Sequence, residues 1–392
     1  MASVTVDSSH LTEDVISSPA LTGRLAFIDY ARAAATLMMV LGHTIDALLS
    51  PSYRETALFH GWTYVRGLTA STFLLVSGFA FGLVALRHAP ILSRRTPARR
   101  RCRRGLLLVV CGYALHFPAS NVWQLPSVST DAWRSFLAVD VLQTIGITII
   151  CLQAIALVFP QPRQFSMATV AVAMLVCLWT PEVWAVRWSE SGLTAIAPYM
   201  SADTGSLFPL FPWLAYGTLG AALGAWFLLS PGPTPVARAV RTLLPTGVAA
   251  IGAALLCRFY SWEPIGGPNL GAARVSQFLL QAGLVCLVVT SLATVVNAVR
   301  PQPLIVQSLA RHSLLVYAAH LCIIYGSPWN AGLRQLFGAM LSPMLVAGFI
   351  IALWTTMVLL SISWRLCTVR YPHIAIRLRA SSVAILLLAL LV

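Results

Sequence analysis

Six side chains near the start of the chain, Asp29, Arg32, Thr36, Met39, His43 and Asp46, recur at alternating intervals of three and four residues. That spacing places all six on one stripe of an α-helix. Arg32 and His43 then face the same way, about 16 Å apart in height. A second stripe carries Ser313, Tyr317 and His320, and a third cluster, Asp140, Gln143 and Thr144, stands inside another apolar stretch. Imidazole beside carboxylate is the combination that general acid–base catalysis uses near neutral pH. The same groups suit a proton pathway in a transporter, and position alone does not separate the two. Plainer readings exist for each residue taken singly. Asp29 and Arg32 can cap and snorkel at a helix end, and a lone histidine can be a satisfied interior group.

The surroundings make these residues conspicuous. Of the 392 residues 58% are hydrophobic and only 10% charged, where a soluble protein has about 25% charged. This excludes a disordered chain and argues against a soluble enzyme. The formal charge is +14, from 26 basic and 12 acidic residues, and every basic residue is arginine. In a soluble protein that balance would point to nucleic acid. In so apolar a chain it points to a membrane, with lipids as partners and no nucleic acid. The eight cysteines contain no C-x-x-C pair, so neither a disulfide framework nor a metal site is expected.

A spanning helix needs about 20 mostly apolar residues. Ten segments approach this: Leu25–Leu49, Val65–Leu86, Gly105–Val122, Phe136–Phe159, Phe165–Thr180, Leu207–Leu229, Leu243–Tyr260, Val275–Val299, Leu304–Tyr325 and Ala339–Trp364. The expected fold is an all-α integral membrane protein, a polytopic bundle of about ten transmembrane helices with both termini cytosolic. Residues 1–22 read as a disordered cytosolic tail, 23–364 as the transmembrane domain, and 365–392 as a basic cytosolic segment with a short apolar C-terminal tail. Ser381–Val392 is too short to span and is expected in the interface or against the bundle.

Orientation follows from charge. Eight arginines lie between Arg87 and Arg104, which places that loop in the cytosol. Alternating outward puts Arg163, Arg238, Arg241, Arg300 and Arg365–Arg379 on the same side, and Glu55, Asp131, Glu182, Glu190, Asp203 and Glu263 on the other. A bacterial inner membrane fits this pattern. Counted from the cytosolic ends of their spans, His43 and His320 both lie about 24–27 Å up, in the outer half. Ionisable groups at such depth cost at least about 2.5–3.5 kcal/mol each to insert, and so point to function.

The stretch Ile28-Asp29-Tyr30-Ala31-Arg32 followed by Val40-Leu41-Gly42-His43 resembles the opening span of membrane-bound acyltransferases, the acyltransferase-3 family and the heparan-alpha-glucosaminide N-acetyltransferase-like family. Both carry arginine, ten intervening residues, then histidine. Further matches follow in order: Phe73-Leu74-Leu75-Val76-Ser77-Gly78-Phe79, Val141-Leu142-Gln143-Thr144-Ile145-Gly146, Phe208-Pro209-Leu210-Phe211-Pro212-Trp213, and His312 through His320. The blocks Val141–Gly146 and Phe208–Trp213 favour the heparan-acetyltransferase-like branch. Ala33 departs from the pattern, where relatives usually have glycine after the arginine.

The resemblance implies transfer of an acyl group, acetyl by that branch, from cytosolic acyl-CoA to a hydroxyl or amine of a glycan or small-molecule acceptor at the outer face. Acyl-CoA is then the donor substrate, and no metal is implied. On this reading His43 is base or nucleophile, Asp46 orients it, and His320 and Tyr317 complete the acid–base set. Arg32 meets the donor, and Arg100, Arg101 and Arg104 are candidates for its phosphates, although orientation and anionic-lipid contact explain the cluster more simply. Asp140, Gln143 and Arg66 are assigned to the acceptor. The segment Pro181–Ser206 sets Trp184, Trp188 and Tyr199 beside Glu182, Glu190 and Asp203. That mixture would suit a sugar, and an interfacial aromatic belt accounts for it more simply. A homodimer is left open. The rival function is a proton-coupled transporter, against which stands the lack of paired broken spans that would mark an inverted repeat.

Overall fold

The computed structural model describes residues 25–86, 95–259, 275–296 and 302–391, and all regular structure among them is helical. The expected N-terminal tail, Arg87, Arg94, Glu263 and Arg300 lie outside the described residues. In chain order the helices are α1 (Ala26–Leu48), α2 (Ala57–Leu86), α3 (Arg95–Leu115), α4 (Thr130–Leu137), α5 (Val141–Val158), α6 (Pro162–Ala185), α7 (Ala197–Met200), α8 (Leu210–Leu229), α9 (Pro235–Phe259), α10 (Val275–Val296), α11 (Leu304–Arg311), α12 (Ser313–Ile324), α13 (Leu333–Phe337), α14 (Pro343–Arg370) and α15 (Pro372–Leu391).

Each of the ten expected segments overlaps a helix. Seven helices (α2, α5, α6, α8, α9, α10 and α14) are long and apolar enough to cross a membrane by length and composition. Several boundaries differ from expectation for local reasons. The segment 136–159 is split, because Asp140 adopts an extended conformation and caps α5 in a reciprocal box with Gln143. The segment 304–325 breaks at His312, whose φ of −113° and ψ of 26° separate α11 from α12. The arginine run from Arg95 is helical, forming the first turns of α3, and that helix stops at Leu115, ahead of Pro118. The apolar tail belongs to the 20-residue α15, where the Trp123 indole N–H donates to the Leu391 carbonyl at 2.8 Å.

Two packing arrangements position the site. The first is the seam between α2 and α8. Gly78 and Gly82 of α2 face Gly217 and Ala221 of α8, while Gly220 and Gly224 face the backbone at Leu75 and Phe79. A Cβ at Gly78, Gly82, Gly220 or Gly224 would overlap a carbonyl oxygen across the seam. The backbones therefore touch directly, as small-residue stripes in membranes permit.

The second arrangement is the central place of α1. Its first turns pack Phe27, Ile28 and Ala31 against Phe79 of α2, Phe227 of α8, Leu243 of α9 and Val289 of α10. Its later turns pack Val40, Ala47 and Leu48 against Leu309, Val316 and Ile324 of α11 and α12 and against Ile350 and Met357 of α14. Surrounded in this way, the polar stripe of α1 faces protein along much of its length, which is where membrane proteins keep ionisable groups. One end of the bundle carries the Arg95–Arg104 turns, with Arg101 bonded to Gln153 and Arg365 to Gln307. At the opposite end Leu49 bridges to Leu341, and the Trp329 indole reaches the Ser120 carbonyl.

Candidate active site

At the end opposite the arginine turns, α1 and α12 bring His43 and His320 together, with ring centroids 5.3 Å apart. Nδ1 of His320 lies 2.8 Å from the Val316 carbonyl oxygen. A carbonyl only accepts, so Nδ1 carries the proton and Nε2 holds the lone pair. That Nε2 is buried and has no partner among the described residues. The Tyr317 hydroxyl donates to the Asp140 carboxylate, and its ring stands edge-on to His320 at 5.7 Å. A continuous arc therefore runs from Asp140 through Tyr317 and His320 to His43.

His43 is held from its other side by a residue that the sequence did not single out. Its Nδ1 lies 3.2 Å from the Tyr325 hydroxyl, and the two rings meet edge to face. Asp46, expected to orient His43, is engaged elsewhere: its carboxylate takes two bonds from Arg66, at 2.8 and 2.6 Å. Arg54 donates to the carbonyls of Asp46 at 3.0 Å and Leu49 at 2.8 Å, closing the C-terminus of α1. The spacing gives no signal for Tyr325, which sits just past the end of α12, five positions beyond His320 and off the stripe.

These groups surround a cavity of about 380 Å³. His43, Arg66, Asp140 and Tyr317 supply its polar wall, and Met39, Phe73, Phe208 and Trp213 much of the apolar one. His320 is fully buried behind His43 and does not line it. Gln143 does not line it either. Its Oε1 accepts the Asp140 backbone N–H at 3.2 Å, and its side chain packs where a Cβ on Gly112 would lie. Gln143 thus positions Asp140. Thr144 plays a similar part, donating its hydroxyl to the Phe208 carbonyl and so tying the start of α8 to α5.

About 16 Å back along the stripe of α1, Arg32 lines a second pocket of about 280 Å³ at the arginine-bearing end. Asp29, Arg104 and Arg311 share it, and Asp29 accepts from Gln302 at 3.3 Å. The sequence pattern does not mark Arg311, which comes into place because α11 ends there. The other arginines of α3 divide. Arg100 is exposed, whereas Arg101 turns inward, bonding Gln153 at 2.9 Å and lying over the Phe81 ring. Neither lines this pocket. The arrangement as a whole sets a cluster of guanidinium groups at one end of a helix stripe, and imidazoles beside a cavity near the other. Such a pairing suits binding an anion at one end and moving a proton at the other.

The family model described as the catalytic region of heparan-alpha-glucosaminide N-acetyltransferase matches residues 24–259 of the chain. That stretch holds Arg32, His43, Asp46, Arg66, Arg104 and Asp140, while Arg311, Tyr317, His320 and Tyr325 follow it. No curated protein matches the chain.

Proposed function

The chain belongs to the heparan-alpha-glucosaminide N-acetyltransferase catalytic family, and on that premise we propose that it transfers an acetyl group from cytosolic acetyl-CoA to an amine or hydroxyl of a glycan acceptor at the outer face of a bacterial inner membrane. The observation that carries this reading is the placement of Arg32 and His43 at two separate hollows along one stripe of α1. CoA is polyanionic and stays on the arginine side, where Arg32, Arg104 and Arg311 attract its phosphates. Its slender pantetheine arm extends along α1 toward Met39, bringing the thioester to the cavity.

In the cavity the acceptor amine or hydroxyl approaches the thioester carbonyl beside His43. His43 takes the proton from the acceptor as its nitrogen or oxygen attacks, and the tetrahedral adduct then expels the CoA thiolate. The proton leaves with the thiol, or passes to the free Nε2 of His320 behind the ring. Arg66 and Tyr317 sit where polar groups would orient the acceptor. Routing the acyl group through His43 itself is the two-step variant of the same chemistry, with an acyl-imidazole formed and then consumed.

The test uses the full chain in nanodiscs with radiolabelled acetyl-CoA and an amine-bearing sugar. Label should appear on the sugar in proportion to protein. Absence of transfer, with a solute moved by reconstituted vesicles under a proton gradient, would replace this reading with a transporter.

A further inference from the structure

A third hollow, of about 330 Å³, lies at the same end of the bundle as the His43 cavity and takes no part in the chemistry above. Its walls come from the end of α4 and from the turns around Trp188 and Asp203. The Trp188 indole N–H donates to the Val183 carbonyl at 2.7 Å, which fixes the ring. Oδ2 of Asp203 accepts from the Ser189 backbone N–H and hydroxyl, each at 3.2 Å, leaving Oδ1 without a bond among the described residues. Arg134 adds a guanidinium that is 72% exposed and only loosely paired, 3.7 Å from Asp131. A fixed indole face, an oriented carboxylate and a guanidinium are the groups that hold a sugar ring, by stacking on its C–H face and bonding its hydroxyls. A tryptophan of an interfacial belt would lie against lipid. Trp188 instead lines a hollow whose walls mix polar and apolar side chains.

The hollow and the cavity share a wall. Leu137 and Thr204 line the hollow; three residues along each segment, Asp140 and Leu207 line the cavity. The two segments are tied together by Val139 N–H to the Ser206 hydroxyl at 2.9 Å and Phe208 N–H to the Val139 carbonyl at 3.0 Å. Three residues of extended chain reach at most roughly 11 Å, short enough for one oligosaccharide to occupy both spaces. We propose that this hollow is a second acceptor subsite, holding a distal sugar ring of an oligosaccharide whose reacting end enters the cavity at His43. The proposal rests on the transferase reading and adds that the acceptor is a chain rather than a single sugar.

The experiment compares glucosamine with its β-1,4-linked tetramer as acceptors for the full chain in nanodiscs, reading the ratio of kcat/KM for tetramer over monomer. Trp188→Ala and Asp203→Asn should each lower that ratio about tenfold, the loss of one stacking or charge-assisted contact. Trp188→Phe, which keeps a ring, should retain most of it. Trp123→Ala, an aromatic of the same end but outside the hollow, should leave the ratio where it was. If both acceptors are used and neither Trp188→Ala nor Asp203→Asn changes the ratio, the subsite is wrong while the transferase stands. If the unaltered protein labels neither acceptor, the transferase reading falls and takes the subsite with it.

Discussion

The two ends of α1 handle charge in opposite ways. At Arg32 the pocket gathers three guanidinium groups around one carboxylate, Asp29. Around His43 each charged group is engaged: Arg66 is clamped to Asp46, and Asp140 takes the Tyr317 hydroxyl. What remains next to that cavity is imidazole. A pocket in which guanidinium groups outnumber carboxylates among the described residues attracts an anion and is sensitive to salt. A pocket whose carboxylates are already engaged leaves imidazole as the group that takes up a proton. On the proposed reading one helix serves binding at one end and proton transfer at the other, so each end should govern a different kinetic constant.

Substitutions at either end test that division. The largest effect is expected from His43→Ala, a fall in kcat of about 10³-fold with the protein still inserted, measured by label transfer at saturating donor. An unchanged kcat would remove His43 from the proton chemistry. His320→Gln should lower kcat by about 10²-fold with donor KM unmoved, since the buried imidazole acts from behind His43. At the other end, Arg32→Gln should raise donor KM about tenfold and flatten its dependence on salt, with kcat little altered. A drop in kcat at constant KM would instead place Arg32 at the reacting carbonyl. The smallest change belongs to Tyr325→Phe, a loss of about threefold to tenfold in kcat, the worth of one hydrogen bond on the His43 ring.

How much of this was legible in the chain depended on whether helical spacing carried the information. The intervals on α1 and α12 put His43 and His320 at one depth, and the structure brings their rings within contact. The partner of Asp46 was not legible, because Arg66 approaches from another helix and spacing within α1 says nothing of it. Tyr325 lies off the stripe at a helix end. The break at His312 has neither proline nor glycine to announce it, so Arg311 could not be placed beside Arg32. Asp140 is the instructive case. An acidic residue with glutamine three positions later is the signature of a helix start, yet inside a long apolar run it read as an intramembrane group.

The glycine seam between α2 and α8 has a mechanical consequence. With no side chains between the two backbones, there are no rotamers to rearrange and little slack to take up. Arg66 on α2 and Trp213 on α8 ride on that joined pair, so their side of the cavity behaves as a stiff wall. Facing it, Tyr317 follows the helix break at His312, where the backbone hydrogen-bond ladder is interrupted. The two imidazoles belong to neither member of that joined pair: His43 is carried by α1 and His320 by α12.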